Sequence, residues 1–250
     1  MLKVIISGCN GAMGQVLTKT IEAMEDAEIA AGIDKNIDRC KNNYDMYSDI
    51  SDYKGNADVI IDFSNPAGLE GLLNYGIETK TPIVIATTGL SSENMDSIKK
   101  ASEKIAVFQS GNTSLGINVL TSLVKKAAAV LSESFDIEII EKHHNKKVDA
   151  PSGTAYMIAN AINDELNNSK EFVYGREGIR KREKNEIGIH AVRGGTIAGE
   201  HTVIFAGMDE IVEIKHTAMS KNIFAQGAVK AAKYLVKQDK GLYNMDDLLS

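Results

Sequence analysis

The sequence predicts an α/β protein with a parallel sheet in its first half and a smaller α+β domain, with a mainly antiparallel or mixed sheet, in its second half. Two observations support this prediction. Up to about residue 113, strand-like and helix-like segments alternate, as they do in the crossover units of parallel sheets. Farther along, three strand-like segments follow one another without a helix between them, which favours antiparallel pairing.

The elements of the first half are short apolar runs separated by amphipathic segments. In Met13–Met24 apolar residues recur at helical spacing, and Asn65-Pro66 suits a helix start because proline loses no needed N–H there. Strands are predicted at Lys3–Ser7, Glu28–Asp34, Val59–Phe63, Pro82–Ala86 and Ile105–Phe108, with a further helix at Ser91–Lys104.

The second half begins and ends with a predicted helix. Between these helices, the charged stretch Arg176–Glu186 is expected to be a flexible, solvated loop. Helices are predicted at Gly116–Leu131, Thr154–Leu166 and Ile223–Val236, and strands at Phe135–Ile140, Ile187–Arg193, Thr202–Ala206 and Ile211–His216.

The composition excludes several classes of protein. The 250 residues carry a net charge of -6, which argues against general nucleic-acid binding. Two cysteines, Cys9 and Cys40, cannot build a disulfide framework and fit a reducing compartment. Neither a signal-peptide core nor an apolar run of the roughly 20 residues that span a membrane is recognisable. We therefore expect a soluble cytoplasmic protein that binds neither nucleic acid nor membranes.

A glycine turn follows the first predicted strand and opens the first helix. Gly8, Gly11 and Gly14 have the spacing G-x-x-G-x-x-G, which is close to the fingerprint of Rossmann-type dinucleotide-binding domains. Such a turn brings backbone N–H groups close to a pyrophosphate at the positive end of a helix. Asp34 lies 20 residues beyond Gly14, where a carboxylate can bind a ribose hydroxyl. In this context, nucleotide binding is favoured over a turn that merely tolerates glycine.

The residues around Asp34 leave the choice of cofactor open. A carboxylate favours the free 2′-hydroxyl of NAD, whereas Lys35 could hold the 2′-phosphate of NADP or be an ordinary solvated lysine. Use of NADH, NADPH or both is therefore expected. Two later turns, Ala86–Gly89 and Ser110–Thr113, follow strands at the edge where open α/β sheets bind ligands.

The segment Glu138–Ala155 concentrates ionisable side chains between a strand and a helix. His143 can exchange a proton near neutral pH, and a cationic lysine can donate a proton or bind a carboxylate. Ser152-Gly153-Thr154, at a helix start, offers hydroxyls and N–H groups to an anion. These residues predict a site for a small carboxylated substrate with a proton donor beside it.

Two other interpretations of this segment remain open. It could be a charged surface loop in which Ser152 caps a helix, as is common for a run of histidines and lysines. A metal site is disfavoured because adjacent histidines point apart in an extended chain and no cysteine cluster joins them. No metal is expected.

The same segment resembles the signature of the 4-hydroxy-tetrahydrodipicolinate reductase family, also called dihydrodipicolinate reductases. The family pattern E-[IV]-x-E-x-H-x-x-x-K-x-D-x-P-S-G-T-A is matched at every fixed position of residues 138–155. The resemblance extends over essentially the whole chain and includes Asp62-Phe63-Ser64, Thr87-Thr88-Gly89 and Gly199-Glu200-His201.

This resemblance implies roles for individual residues. His143 would be the catalytic proton donor or acceptor, and Lys147 the second proton donor. The implied substrate contacts are His144, Ser152, Gly153 and Thr154. The implied cofactor contacts are Gly8, Cys9, Asn10, Gly11, Ala12, Met13, Asp34, Lys35, Ala86, Thr87, Thr88, Ser110, Gly111, Asn112 and Thr113.

The resemblance also implies a domain organisation and a reaction. Residues 1–113, completed by residues 221–250, would form the dinucleotide-binding domain. Residues 114–220 would bind a dicarboxylate substrate and assemble a homotetramer. The implied reaction is the NAD(P)H-dependent reduction of 4-hydroxy-tetrahydrodipicolinate to tetrahydrodipicolinate, with loss of water, in lysine biosynthesis through diaminopimelate.

Two alternative functions remain. The first is a different reductase on the same scaffold, such as a diaminopimelate dehydrogenase. A thioester-forming aldehyde dehydrogenase is disfavoured because neither Cys9 nor Cys40 is suitably placed to be its nucleophile. The second is a regulator that senses NAD without catalysis, although the acidic chain shows no basic helix for binding DNA.

Overall fold

The fold is that of a computed structural model, which describes residues 1–249. The chain forms two compact units. The first unit contains Met1–Leu115 and the C-terminal segment from Lys221, and the second contains Gly116–Ser220. Among the residues described, no helix is long and apolar enough to cross a bilayer.

The first unit contains a seven-stranded sheet in which every pairing is parallel. Its strands are β1 (Leu2–Ser7), β2 (Ala27–Ile33), β3 (Met46–Tyr47), β4 (Val59–Asp62), β5 (Ile83–Ile85), β6 (Ala106–Gln109) and β12 (Gly241–Tyr243). They lie in the order β12-β6-β5-β4-β1-β2-β3. The helices are α1 (Ala12–Glu22), α2 (Leu69–Thr79), α3 (Ser92–Ser102), α6 (Asn222–Leu235) and α7 (Met245–Leu249), with single 3-10 turns at Ile50–Asp52 and Pro66–Gly68.

Helices cover both faces of this sheet. Successive residues of a strand point to opposite faces, so Val4 and Ile6 of β1 pack in one core and Ile5 packs in the other. The first core includes Leu17 of α1 together with residues of α6, and the second includes Leu72 of α2 together with residues of α3. Because all strands run the same way, the loops after their carboxyl ends lie at one edge of the sheet.

The second unit contains a five-stranded mixed sheet. Its strands are β7 (Asp136–His143), β8 (Glu171–Tyr174), β9 (Glu186–Arg193), β10 (Gly199–Ala206) and β11 (Ile211–Ala218), and its helices are α4 (Leu115–Leu131) and α5 (Gly153–Glu165). The order is β11-β10-β7-β9-β8. The pairs β11–β10 and β10–β7 are antiparallel, whereas β7–β9 and β9–β8 are parallel.

The fold class is confirmed, but three details differ from the prediction. Of the three strands that follow one another, only β10 and β11 pair directly, because β7 lies between β9 and β10. The short strands β3, β8 and β12 were not predicted. Strand β7 continues to His143, beyond the predicted end at Ile140.

The loop between β8 and β9 has no regular structure, as predicted, but its arginines are not free in solvent. Arg176 donates hydrogen bonds to Glu138 over 2.8 Å and to Glu186 over 2.7 Å. Arg182 donates to Asp136 over 2.7 Å and to Glu138 over 3.0 Å. The stretch is therefore a largely exposed loop, as expected, but these two side chains also pair with carboxylates of the sheet.

Candidate active site

The glycine turn between β1 and α1 requires residues without side chains. Gly8 has a φ of +78°, and a Cβ built there would lie 2.6 Å from the carbonyl oxygen of Phe63. Gly11 occupies the N-cap of α1 and has no side chain to cap the helix. The first N–H groups of α1 can therefore bind an anion.

Asp34 is joined to this turn by hydrogen bonds. The N–H of Asn10 donates to Asp34 Oδ2 and the N–H of Asn36 donates to Oδ1, each over 3.0 Å. Asn10 is only 2% exposed, and Asn42 Nδ2 donates to its Oδ1 over 2.9 Å. The carboxylate predicted to bind a ribose thus lies beside the glycine turn, and Lys35 next to it is exposed.

Asp62, at the end of β4, links two other loops at this edge and was not predicted as a site residue. It is 1% exposed and accepts hydrogen bonds from Thr87 Oγ1 over 2.6 Å and from Ser64 Oγ over 2.5 Å. The signal was available, because an acidic residue that ends a buried strand requires hydrogen-bond partners. In the loop after β6, Thr113 Oγ1 donates to the carbonyl oxygen of Phe224 over 2.7 Å.

Cys9 is buried beneath the turn and is no nucleophile. Burial, followed by the charge of Asp34, raises the pKa of its thiol to about 11. The thiol stays protonated at neutral pH and is therefore unreactive, in agreement with the interpretation of the sequence.

In the second unit, β7 presents Glu141 and His143 on the same face. Residues two apart in a strand point to the same side, and His143 Nδ1 lies 2.6 Å from Glu141 Oε2. The backbone N–H of Ser152 donates to Glu141 Oε1 over 3.0 Å. Glu141 was missed because the strand was predicted to end at Ile140. With the strand extended, the spacing E-x-H predicts this contact.

Ser152 caps helix α5 and contacts a histidine from β10. Its Oγ accepts a hydrogen bond from the N–H of Ala155 over 3.1 Å and lies 3.0 Å from His201 Nε2. The rings of His201 and His143 meet edge to face with their centroids 5.2 Å apart. A cap of this kind was predicted, whereas the contribution of His201 was not.

Lys147 lies in the loop between β7 and α5, with its Nζ 2.8 Å from Asp149 Oδ1. His144 lies directly after β7, and Gly153 and Thr154 begin α5, so the predicted substrate residues share this connection. Within residues 1–249, no group of three or more His, Cys, Asp and Glu side chains is arranged to bind a metal.

Burial lowers the pKa of both histidines in this cluster. For His143, the hydrogen bond and charge of Glu141 oppose burial, yet the pKa still lies below its ordinary value. For His201, burial, followed by the charge of His143, lowers the pKa to about 4. Both rings are therefore predominantly neutral at neutral pH.

We expect the free energy of unfolding to decrease as the pH falls from about 6.5 to about 4, partly through His201. The unfolded chain binds a proton at histidine near pH 6.5, whereas folded His201 does so only near pH 4, so acid favours the unfolded state. The contribution of His201 is about 3 kcal/mol when complete. Urea titrations at neutral and acidic pH should show that the free energy of unfolding decreases less for His201→Gln than for wild type. Equal losses would contradict the assignment.

The comparisons with known proteins agree over the whole chain. The family model described as dihydrodipicolinate reductase, N-terminus, matches residues 2–113, and the model described as dihydrodipicolinate reductase, C-terminus, matches residues 116–249. The 4-hydroxy-tetrahydrodipicolinate reductase of Caldanaerobacter subterraneus is 54% identical over 250 residues, and that of Clostridium novyi is 50% identical over 249 residues. Each alignment covers 100% of this chain and 98% of the relative.

A solved structure supports the fold. The dipicolinate-bound dihydrodipicolinate reductase from Paenisporosarcina sp. TG-14 superimposes with a TM-score of 0.82 at 23% identity, covering 98% of this chain and 97% of that one. Both family models match, and curated relatives at about 50% identity align from end to end. The chain therefore belongs to the dihydrodipicolinate reductase family.

Proposed function

We propose that the protein reduces 4-hydroxy-tetrahydrodipicolinate to tetrahydrodipicolinate in the diaminopimelate route to lysine. The observation that carries this proposal is the full-length match, at about 50% identity, to relatives named for that reaction. In the balanced reaction, the substrate takes up a hydride and a proton and releases water, and NAD(P)H is oxidised to NAD(P)+.

The first unit has features that suit a nicotinamide dinucleotide. The turn Gly8–Met13 and the N-terminus of α1 would hold the pyrophosphate, and Asp34 and Lys35 would contact the adenosine ribose. The segments Ala86–Thr88 and Ser110–Thr113 follow β5 and β6 at the same edge and would complete the cofactor contacts. When bound, the cofactor supplies the hydride.

His143 and Lys147 are the proposed proton-transfer residues, Lys147 as a donor and His143 as a group that takes up a proton at Nε2 and then passes it on. Hydride addition leaves an electron pair on the substrate that must be protonated. The Nδ1 atom of His143 is engaged by Glu141, which leaves Nε2 for exchange with the substrate. The ammonium of Lys147, already beside Asp149, carries further protons and a charge that attracts carboxylates.

The start of α5 is the proposed carboxylate site. Gly153 and Thr154 contribute the first N–H groups of the helix, and Ser152 precedes them with its hydroxyl. His144, at the end of β7, would contact the same substrate. The Paenisporosarcina structure is named for bound dipicolinate, a dicarboxylate, which supports this class of substrate.

We further propose a homotetramer assembled through the sheet of the second unit. Strand β11 forms one edge of that sheet, and the side chains of Ile211 and Val212 on it are exposed. An uncovered edge presents backbone donors and acceptors to another chain. Light scattering of the purified protein would measure the assembly.

We assign the protein to the cytoplasm, where the free thiols Cys9 and Cys40 would stay reduced.

The decisive experiment follows NADH absorbance when the condensation product of pyruvate and aspartate semialdehyde is supplied. A decrease in absorbance that depends on this substrate supports the proposal. A diaminopimelate dehydrogenase would leave the substrate unreduced. A sensor of NAD would bind NADH without changing its absorbance in this way.

The choice between NADH and NADPH is testable at Lys35. We expect Lys35→Ala to raise the dissociation constant of NADPH by roughly fivefold, the effect of losing about 1 kcal/mol from one exposed ion pair, and to leave that of NADH unchanged. Fluorescence titration of both cofactors would measure this. Lys41→Ala removes a neighbouring exposed lysine and serves as the control. Equal changes for the two cofactors would contradict a 2′-phosphate contact.

A further inference from the structure

The carboxylate of Glu141 lies beside His143, the proposed proton-transfer residue, and is fully hydrogen-bonded. It is 0% exposed, and both of its oxygens accept two hydrogen bonds. Arg193 donates through Nη1 to Oε2 over 2.7 Å and through Nη2 to Oε1 over 2.6 Å. The remaining donors are His143 Nδ1 and the N–H of Ser152. A buried carboxylate is tolerated only with this degree of pairing.

This bonding determines which nitrogen of His143 carries the proton. Burial raises the pKa of Glu141, but the hydrogen bonds from Arg193 and His143 outweigh it and the net pKa is lowered. Glu141 is therefore ionised and only accepts, so His143 Nδ1 must be the donor. The neutral ring then has its lone pair on Nε2. A Cβ added to Gly199 would lie 3.2 Å from that atom, so glycine keeps the space beside it open.

The charged and titratable groups around His143 come from each element packed against it. Glu141 is on the same strand, Arg193 is on β9, His201 is on β10, and Lys147 is in the loop that precedes α5. Arg193 neutralises Glu141, and its Nη2 also donates to the carbonyl oxygen of Asp149 over 2.6 Å. The same guanidinium thus fixes the carboxylate and the loop that carries Lys147.

We propose that Glu141, held by Arg193, is a positioning residue that keeps the proton of neutral His143 on Nδ1 and ties the N-terminus of α5 to the same carboxylate. The inference rests on the proposed function. Its consequence is a constant spacing between Nε2, where the proton is exchanged, and the N–H groups that would bind the substrate carboxylate. Because the carboxylate is 0% exposed and each of its oxygens already accepts two hydrogen bonds, it would act through His143 and α5 and not by contacting the substrate or cofactor.

The test is the variant Glu141→Gln with Glu138→Gln as its matched control. Glu138 is also a carboxylate of β7 that is bonded to a histidine, His190 Nε2, over 2.7 Å, but it lies on the opposite face of the sheet. We expect Glu141→Gln to lower kcat by roughly tenfold to a hundredfold, and to leave the dissociation constant of NADH unchanged. Glu138→Gln should retain kcat within about twofold.

Nitrogen-15 spectra of histidine-labelled protein distinguish a positioning role of Glu141 from a role in folding stability alone. At about pH 8, where the ring is neutral, the wild-type signal of His143, identified by its loss in His143→Gln, should show the proton on Nδ1. In Glu141→Gln, a substantial fraction of the molecules should carry the His143 proton on Nε2. The proposal is overturned if the wild-type proton is found on Nε2, a result that does not depend on the folding of Glu141→Gln. It is also overturned if Glu141→Gln keeps both the wild-type tautomer and the wild-type kcat. Absence of turnover in wild type would instead overturn the proposed function.

Discussion

Replacing His143 with glutamine is expected to lower kcat by roughly a hundredfold to ten-thousandfold. Glutamine retains polarity and approximate size but cannot exchange a proton near neutral pH. The dissociation constant of NADH should change little, because the proposed cofactor contacts lie in the other unit. Steady-state rates from NADH absorbance would measure kcat, and fluorescence titration would measure the dissociation constant.

The control for this substitution is His190→Gln. His190 is also hydrogen-bonded to a glutamate of β7, through its Nε2 to Glu138 Oε2, but it plays no part in the proposed chemistry. We expect the kcat of His190→Gln to stay close to that of wild type. Turnover of His143→Gln near the wild-type rate would show that the imidazole transfers no essential proton.

Replacing Lys147 with alanine is expected to raise KM by roughly tenfold to a hundredfold and to lower kcat as well. A charge-assisted hydrogen bond to a carboxylate contributes about 1.5–3 kcal/mol, which corresponds to this change in affinity. Lys147→Arg separates the two roles, because guanidinium retains the charge but does not release a proton in proteins. Lys147→Arg should therefore have a KM close to that of wild type, but a kcat close to that of Lys147→Ala.

Lys146 provides the matched control for the lysine. It is the preceding residue and is exposed, whereas Lys147 is half-buried beside Asp149. Lys146→Ala should leave KM and kcat within about twofold of wild type, as expected for an exposed side chain without a specific role. Unchanged KM and kcat in Lys147→Ala would remove its amine from the site.

The features predicted well from the sequence are those determined by neighbouring residues. The strand β1, the turn at Gly8 and the helix α1 follow one another in the chain, and each has a local pattern that reveals it. The position of Asp34 beside this turn was also predictable, because the distance from a glycine turn to the end of the second strand varies little in this kind of fold, whereas its contact with a ribose stays a prediction. The cap at Ser152 is again a local feature.

The features that were missed depend on residues distant in sequence. Arg193 reaches Glu141 from 52 positions along the chain, and His201 reaches Ser152 from 49 positions. Neither contact produces a periodic pattern of residues in the sequence. The error at β7 had a different origin, because alternation of Glu141 and His143 with lysine resembles a polar loop unless the partners that neutralise them are known.

The strand order of the second unit has a consequence for biosynthesis of the enzyme. As the nascent chain emerges, the complete signature segment 138–155 appears well before Arg193 and His201, and β7 gains its neighbours only when β9 and β10 have been made. Such long-range pairing is slow compared with local folding. A fragment that stops before position 193 would carry every residue of the signature but would lack Arg193, which holds Glu141, and His201, which contacts Ser152. Catalytic competence would therefore arrive only after the strands on both sides of β7 have been made.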